Sequence, residues 1–362
     1  MKKIDKRLFF IVLFLSIFGL IMIYSASNVW SQYKFNDSFH YFKYQLFFLI
    51  ISTFLMIIIS KINYQLYYKY ATSILLICFI LLILVLIPGI GSIRNGSRSW
   101  FGIGSLGIQP SEAAKIGLII FSSKYLANNR DYLDNNLKGI IPLLIIVILA
   151  FGLIMLQPDL GTGMILVISI ISILFISGVN TKFFLGGGLL GIIGIIILII
   201  IAPYRMNRIT SFINPWNDEL GTGFQIIQSL YAIGPHGLLG TGYLNSIQKH
   251  FYLPEPQTDF IFSVIAEEFG ILGVVIVVGL FFLLFQRTVK IALKCNDLFA
   301  KYLVFGISFQ LIFQTIMNLM VVVGLIPVTG VTLPFLSYGG SSLLVSMTSI
   351  GIILNISTKK ED

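Results

Sequence analysis

Charge is what this chain has least of. Asp, Glu, Lys and Arg together make up 11% of its 362 residues, and only 15 of them are acidic. A water-soluble domain carries about twice that share, so too little polar surface is present for a soluble globule. Histidine and cysteine are scarcer still, at three and two. His40, His236 and His250 are scattered through connecting segments, without the clustering that a structural metal site requires. Cys78 falls in an apolar run and Cys295 in a polar connection, so neither disulfide nor redox chemistry is indicated. Clustered carboxylates are missing too, which leaves a divalent cation such as Mg or Mn without a dedicated motif. No basic domain or face carries the net charge of +9, so nucleic-acid binding is excluded as its explanation.

What the chain has is hydrophobic length. Hydrophobic residues make up 57% of the sequence and the mean hydropathy is +0.94. Runs long enough to cross about 30 Å of hydrocarbon occur near 8–26, 41–60, 71–90, 110–126, 139–157, 162–179, 183–203, 259–286, 298–325 and 337–356. The expected fold is an all-α polytopic membrane protein of about ten transmembrane helices, one integral membrane domain over 1–362. A large extracytoplasmic loop, about 204–258, joins helices 7 and 8. The first run follows Met-Lys-Lys-Ile-Asp-Lys-Arg and reads as an uncleaved first helix, because its core is long and nine more runs follow. With the N-terminus inside, sixteen of the 24 Lys and Arg fall on inner segments. Seven fall outside (Lys34, Lys43, Arg94, Arg98, Arg205, Arg208 and Lys249), and Lys115 lies within a run. That asymmetry predicts both termini in the cytoplasm and contacts with membrane lipids.

Two connections are long, Gly91 to Gln109 and Tyr204 to Thr258, both external in this topology. In the second, Phe224, Ile226, Ile227, Leu230, Tyr231 and Ile233 recur at near-helical spacing, as in an amphipathic helix at the interface. Gly186, Gly187, Gly188, Gly191 and Gly194 in the seventh run would permit close helix packing.

Four constellations stand out against the apolar background. Gln109-Pro110-Ser111-Glu112 opens the fourth run, and Lys115 shares a face with Glu112. The pair is either a neutralised bond between helices or a cation offered to phosphate. In Gln157-Pro158-Asp159-Leu160-Gly161-Thr162, Asp159 is placed to cap the next helix. Tyr252-Leu253-Pro254-Glu255-Pro256-Gln257-Thr258-Asp259-Phe260-Ile261-Phe262 leads into a run that also holds Glu267 and Glu268. Ionisable groups there cost several kcal/mol each, so something polar is handled at that mouth; Asp259 also sits where a helix N-cap is expected. Last, Thr332-Leu333-Pro334-Phe335-Leu336-Ser337-Tyr338-Gly339-Gly340 is irregular backbone at membrane depth, tolerated where protein covers it or water reaches it. Arg98, Arg205 and Arg208 are suited to forked hydrogen bonds with phosphate, and Trp100 to stacking on a sugar or anchoring at the interface.

Together, in this order, these motifs resemble the SEDS family of shape, elongation, division and sporulation proteins, with Val331-Thr332-Leu333-Pro334 and Gln225-Ile226-Ile227-Gln228-Ser229 nearer the FtsW and SpoVE branch than the RodA branch. The resemblance implies a peptidoglycan glycosyltransferase that polymerises lipid II at the outer face of the bacterial cytoplasmic membrane. It implies Asp259 as the base, and lipid II and lipid-linked glycan bound by Lys115, Glu112, Arg98, Trp100, Arg205, Arg208 and Glu267. It also implies a class B penicillin-binding protein transpeptidase and other division or elongation proteins as partners. Buried charge and a lipid substrate also fit a lipid II flippase, and a scaffold without chemistry stays open as well.

Overall fold

Asp5 opens the first helix, its carboxylate accepting the Leu8 amide at 3.1 Å, and α1 then runs Lys6–Phe35. In this computed structural model residues 4–358 are described, apart from 95, 104–105, 131–138, 220, 222 and 235. Of the inner cations counted above, Lys2, Lys3, Lys138, Lys359 and Lys360 lie outside the described residues. The helices that follow are α2 His40–Lys61, α3 Gln65–Leu84, α4 Pro110–Asn128, α5 Ile141–Met155, α6 Leu160–Ile176 and α7 Thr181–Ile201. After them come α8 Pro203–Ile213, α9 Phe224–Ile233, α10 Ile261–Leu293, α11 Leu298–Val322 and α12 Gly340–Ser357. Seven of the described helices (α1, α2, α3, α7, α10, α11 and α12) are long and apolar enough to cross a membrane; α5 and α6 are apolar but shorter. α4 stands at the fourth expected run, with Glu112 and Lys115 buried on it.

The core is built around α11, which packs on α10, α6 and α4, while α12 lies along α2 and α3 along α4. Close approach depends on small residues: a Cβ at Gly351 on α12 would come within 2.8 Å of the Met56 carbonyl on α2. The Asp5 amide donates to Ser357 Oγ at 3.2 Å, and the Asp5 carboxylate pairs with Arg287 at 2.8 Å. The start of α1, the end of α12 and the end of α10 therefore share one end of the bundle. The four constellations gather at the opposite end, called the site end below.

The structure adds detail in three places. The connection from Gly91 to Gln109 contains a three-stranded antiparallel meander, β1 Ser92–Arg94, β2 Ser97–Ile103 and β3 Leu106–Ile108. The segment 204–258 holds more than the expected helix, which is α9: α8 and a 3₁₀ turn Pro215–Asp218 precede it, and α9 buries Ile226, Ile227, Ser229 and Ala232 against α10 and α11. The glycines of α7 pack on nothing within 4 Å, and its most apolar stretch has no buried residue.

The eighth run starts two residues later than expected, at Ile261, leaving Asp259 outside the helix. α10 also breaks at Gly270 (φ 60°, ψ −155°), a backbone region reserved for glycine. Segment 237–242 repairs the break. Thr241 and Gly242 amides donate to the Glu267 and Glu268 carbonyls at 2.9 and 3.0 Å, and the Ile271 and Leu272 amides donate to those of Gly237 and Leu238 at 3.2 and 3.1 Å.

Candidate active site

Segment 325–339 is the frame of the site end. Gln45 on α2 clamps it, donating to the Ser337 carbonyl at 3.3 Å and accepting the Gly339 amide at 3.2 Å. The Tyr338 amide donates to the Gln257 carbonyl at 2.8 Å, joining this segment to the Tyr252–Phe262 stretch. Two residues here are forced into left-handed backbone, Glu255 (φ 44°) and Phe335 (φ 65°); such strain persists where the surroundings over-determine it and clusters at functional sites.

From the bundle side, α11 presents two amides to this frame. Lys115, 1% exposed, donates to Glu112 at 2.8 Å and to Gln314 Oε1 at 3.0 Å. Gln314 in turn donates to the Thr332 carbonyl at 3.0 Å. One turn on, Asn318 Nδ2 spends both protons, one on the Asp259 carbonyl at 2.7 Å and one on the Val331 carbonyl at 2.8 Å. The buried ion pair is thus connected through Gln314, residues 331–332 and Asn318 to the backbone of Asp259. Gln314 and Asn318 are the participants that the sequence reading missed. Their signal was there, amides at i and i+4 with Gln310 a turn before them, a polar stripe in an apolar helix.

Asp259 itself is partly buried. Its Oδ1 accepts from the Thr258 hydroxyl at 2.8 Å, and among the described residues no other side chain bonds the carboxylate. The capping alternative finds no bond to support it, since Phe260 is the N-cap residue of α10 and no side chain caps that helix. Burial pushes the Asp259 carboxyl up from the ordinary aspartate value; the Thr258 hydroxyl pulls it down, and Glu255 and Arg208 act in opposite senses, raising and lowering it. Arg208 donates to the Val328 carbonyl at 2.9 Å.

Asp159 does cap α6, accepting the Thr162 amide at 3.0 Å, and its other oxygen accepts Gln109 Nε2 at 2.8 Å. The first two motifs are therefore bonded to each other. The meander rests on this turn through the Ser97 hydroxyl, which donates to the Gln157 carbonyl. Trp100 on β2 is covered by the Arg94 guanidinium, 4.7 Å above its ring, while Arg98 stays on the meander with its stem against Gly91.

Two expected residues are not brought to this group. Arg205 turns back on α7, donating to the Leu198 carbonyl at 2.8 Å. Glu267, 1% exposed, accepts from the Ser246 hydroxyl and from the Ile247 and Gln248 amides at 2.6, 2.6 and 3.3 Å. With Glu268 paired to Lys249 at 3.3 Å, both carboxylates anchor the 236–250 segment to α10. Among the described residues no three His, Cys, Asp or Glu side chains come together as a metal site would need.

The family model of FtsW, RodA and SpoVE cell cycle proteins matches residues 6–362. The chain belongs to this family. It is 49% identical over 353 residues to stage V sporulation protein E of Bacillus subtilis, covering 98% of this chain and 96% of that protein. It is 40% identical to the probable peptidoglycan glycosyltransferase FtsW of Trichlorobacter lovleyi, with 98% and 93% covered. Among solved structures, a chain from a peptidoglycan synthase complex that coordinates polymerisation and crosslinking superposes with a TM-score of 0.82 at 30% identity, 99% of each chain covered. The rod shape determining protein RodA of Thermus thermophilus gives 0.73 at 26%, with 99% and 98% covered. These identities put the chain on the FtsW/SpoVE branch, and its relatives make it a multi-pass protein of the cytoplasmic membrane.

Proposed function

We infer that this FtsW/SpoVE-branch protein is a peptidoglycan glycosyltransferase and that Asp259 is its base. The carrying observation is a carboxylate at the mouth of α10 that bonds one side chain among the described residues, Thr258, with its backbone fixed by Asn318. The substrate is lipid II, and the reaction takes place on the extracytoplasmic side, where the seven-cation face of the sequence puts the site end.

In this reaction the 4-hydroxyl of one lipid-linked sugar attacks the anomeric carbon of another chain. A new glycosidic bond forms as the bond to the polyprenyl pyrophosphate breaks. That leaving group departs as an anion and needs little help from an acid; the attacking hydroxyl needs a base and the departing charge needs cations. Asp259 Oδ2 takes the hydroxyl proton, and burial makes this carboxylate a stronger base than an exposed one. Direct displacement with a single carboxylate inverts the anomeric carbon. Arg208, and Arg98 on the meander rim, receive the pyrophosphate. Lys115 has two of its three protons engaged inside the protein and acts as a positioning residue, holding Thr332 through Gln314. A class B penicillin-binding protein crosslinks the product; the likeness to the synthase complex supports such a partner.

Purified protein in liposomes separates this from transport and from scaffolding. Added lipid II should be converted to glycan polymer on the outer side. Movement of lipid without polymer would instead identify a flippase, and neither would leave a scaffold.

A further inference from the structure

Four cations from two helices meet around one groove at the terminal end of the bundle, far along the chain from the site just described. Lys6 and Arg7 come from the first turn of α1, and Arg287 and Lys290 from the end of α10; the groove they line holds about 420 Å³. Among the described residues, one carboxylate faces them. Asp5 already uses its two oxygens, one on the Leu8 amide and the other on Arg287, and Arg287 keeps 29% of its side chain exposed despite that pair. Among the described residues Lys6, Arg7 and Lys290 have no ion pair. Topology bias and the α10 dipole account for cations at this end, but not for three, without an ion pair among the described residues, converging on one concavity.

The walls tell what kind of anion fits. One turn further into the bundle the same groove is lined by Phe10 and Leu283, 61% and 47% exposed. Charge at the membrane edge continuing into open apolar wall matches a molecule with an anionic head and hydrocarbon tails. We propose that this groove binds one anionic phospholipid, its phosphate among Lys6, Arg7 and Lys290 and an acyl chain along Phe10 and Leu283. A soluble phosphate would use the cations but gain nothing from the apolar wall.

The test uses the full chain in neutral detergent. Native mass spectrometry reads retained lipid, and thermal unfolding reads stabilisation, as phosphatidylglycerol or phosphatidylcholine is titrated. The wild type should retain one phosphatidylglycerol in preference, and millimolar inorganic phosphate should not displace it. Arg7→Gln with Lys290→Gln leaves the Asp5–Arg287 pair intact and should weaken that binding about tenfold or more; Lys290→Gln alone should weaken it less. A control, Lys61→Gln with Lys69→Gln, removes two exposed cations of the same end and should change nothing. Unfolding in phosphatidylcholine alone checks that each variant is folded. Undiminished preference in the double variant, equal loss in the control, displacement by inorganic phosphate, or no preference in the wild type would each overturn the proposal.

Discussion

Glu112 and Lys115 show why a charge in an apolar run does not state its own purpose. The sequence put them on one face and left open whether the ammonium meets substrate; the structure engages it with Glu112 and Gln314 and buries it. Lys115→Met strands the Glu112 carboxylate, so it should cost about 3–5 kcal/mol and abolish activity, whereas Glu112→Gln with Lys115→Met should recover most of both. A double variant that unfolds like wild type yet makes no polymer would hand the ammonium to the substrate instead. Asp259 can be probed by pH. With its carboxyl raised by burial, the protonated and inactive form persists above the ordinary aspartate range, so the acid limb of kcat/KM should lie above 3.8. Arg208→Gln removes a cation that favours the carboxylate and should move that limb further up; a downward shift would contradict that influence. Asp259, Glu112 and Asp159 were legible because a carboxylate in hydrocarbon demands a reason. Gln314 and Asn318 showed only as a polar stripe, because their partners, the Thr332, Val331 and Asp259 carbonyls, are set by tertiary packing.

At the scale of elements, the long apolar helices were readable because hydrophobic length is a local property. What sequence pattern could not give was the break in α10. Gly270 sits in a continuous apolar run, and only the docking of 237–242 explains why the helix gives way there and why Glu267 points to loop amides instead of substrate. A Cβ at Gly270 would lie 2.5 Å from the Gly240 amide and 2.6 Å from the Gly237 carbonyl, in a conformation that costs on the order of 1–3 kcal/mol for other residues. Gly270→Ala should therefore lower the thermal midpoint and open the 236–250 segment to limited proteolysis. An unchanged cleavage pattern would mean that the segment is held by other contacts. The meander escaped notice for a related reason: two of its three strands have only three residues, too short to establish an alternating pattern.

For the whole molecule, the shared position of the start of α1 and the end of α12 follows from Asp5, Ser357 and Arg287, and the sixteen-to-seven charge count predicts that this end faces the cytoplasm. With Cys78 and Cys295 replaced, a cysteine at Asn217 should react with an impermeant thiol reagent from outside the cell, and one at Lys294 should not; the reverse pattern would turn the protein over and place the site inside. The central claim is that glycan synthesis depends on the Asp259 carboxylate, and the direct measurement is polymerisation of lipid II by Asp259→Asn in liposomes beside the wild type. Asparagine keeps the size and can still accept from Thr258, but it cannot take the hydroxyl proton. The account predicts a folded variant with thermal unfolding close to wild type and polymerisation slower by roughly 10²-fold or more. Polymer formed by Asp259→Asn at near the wild-type rate would contradict it.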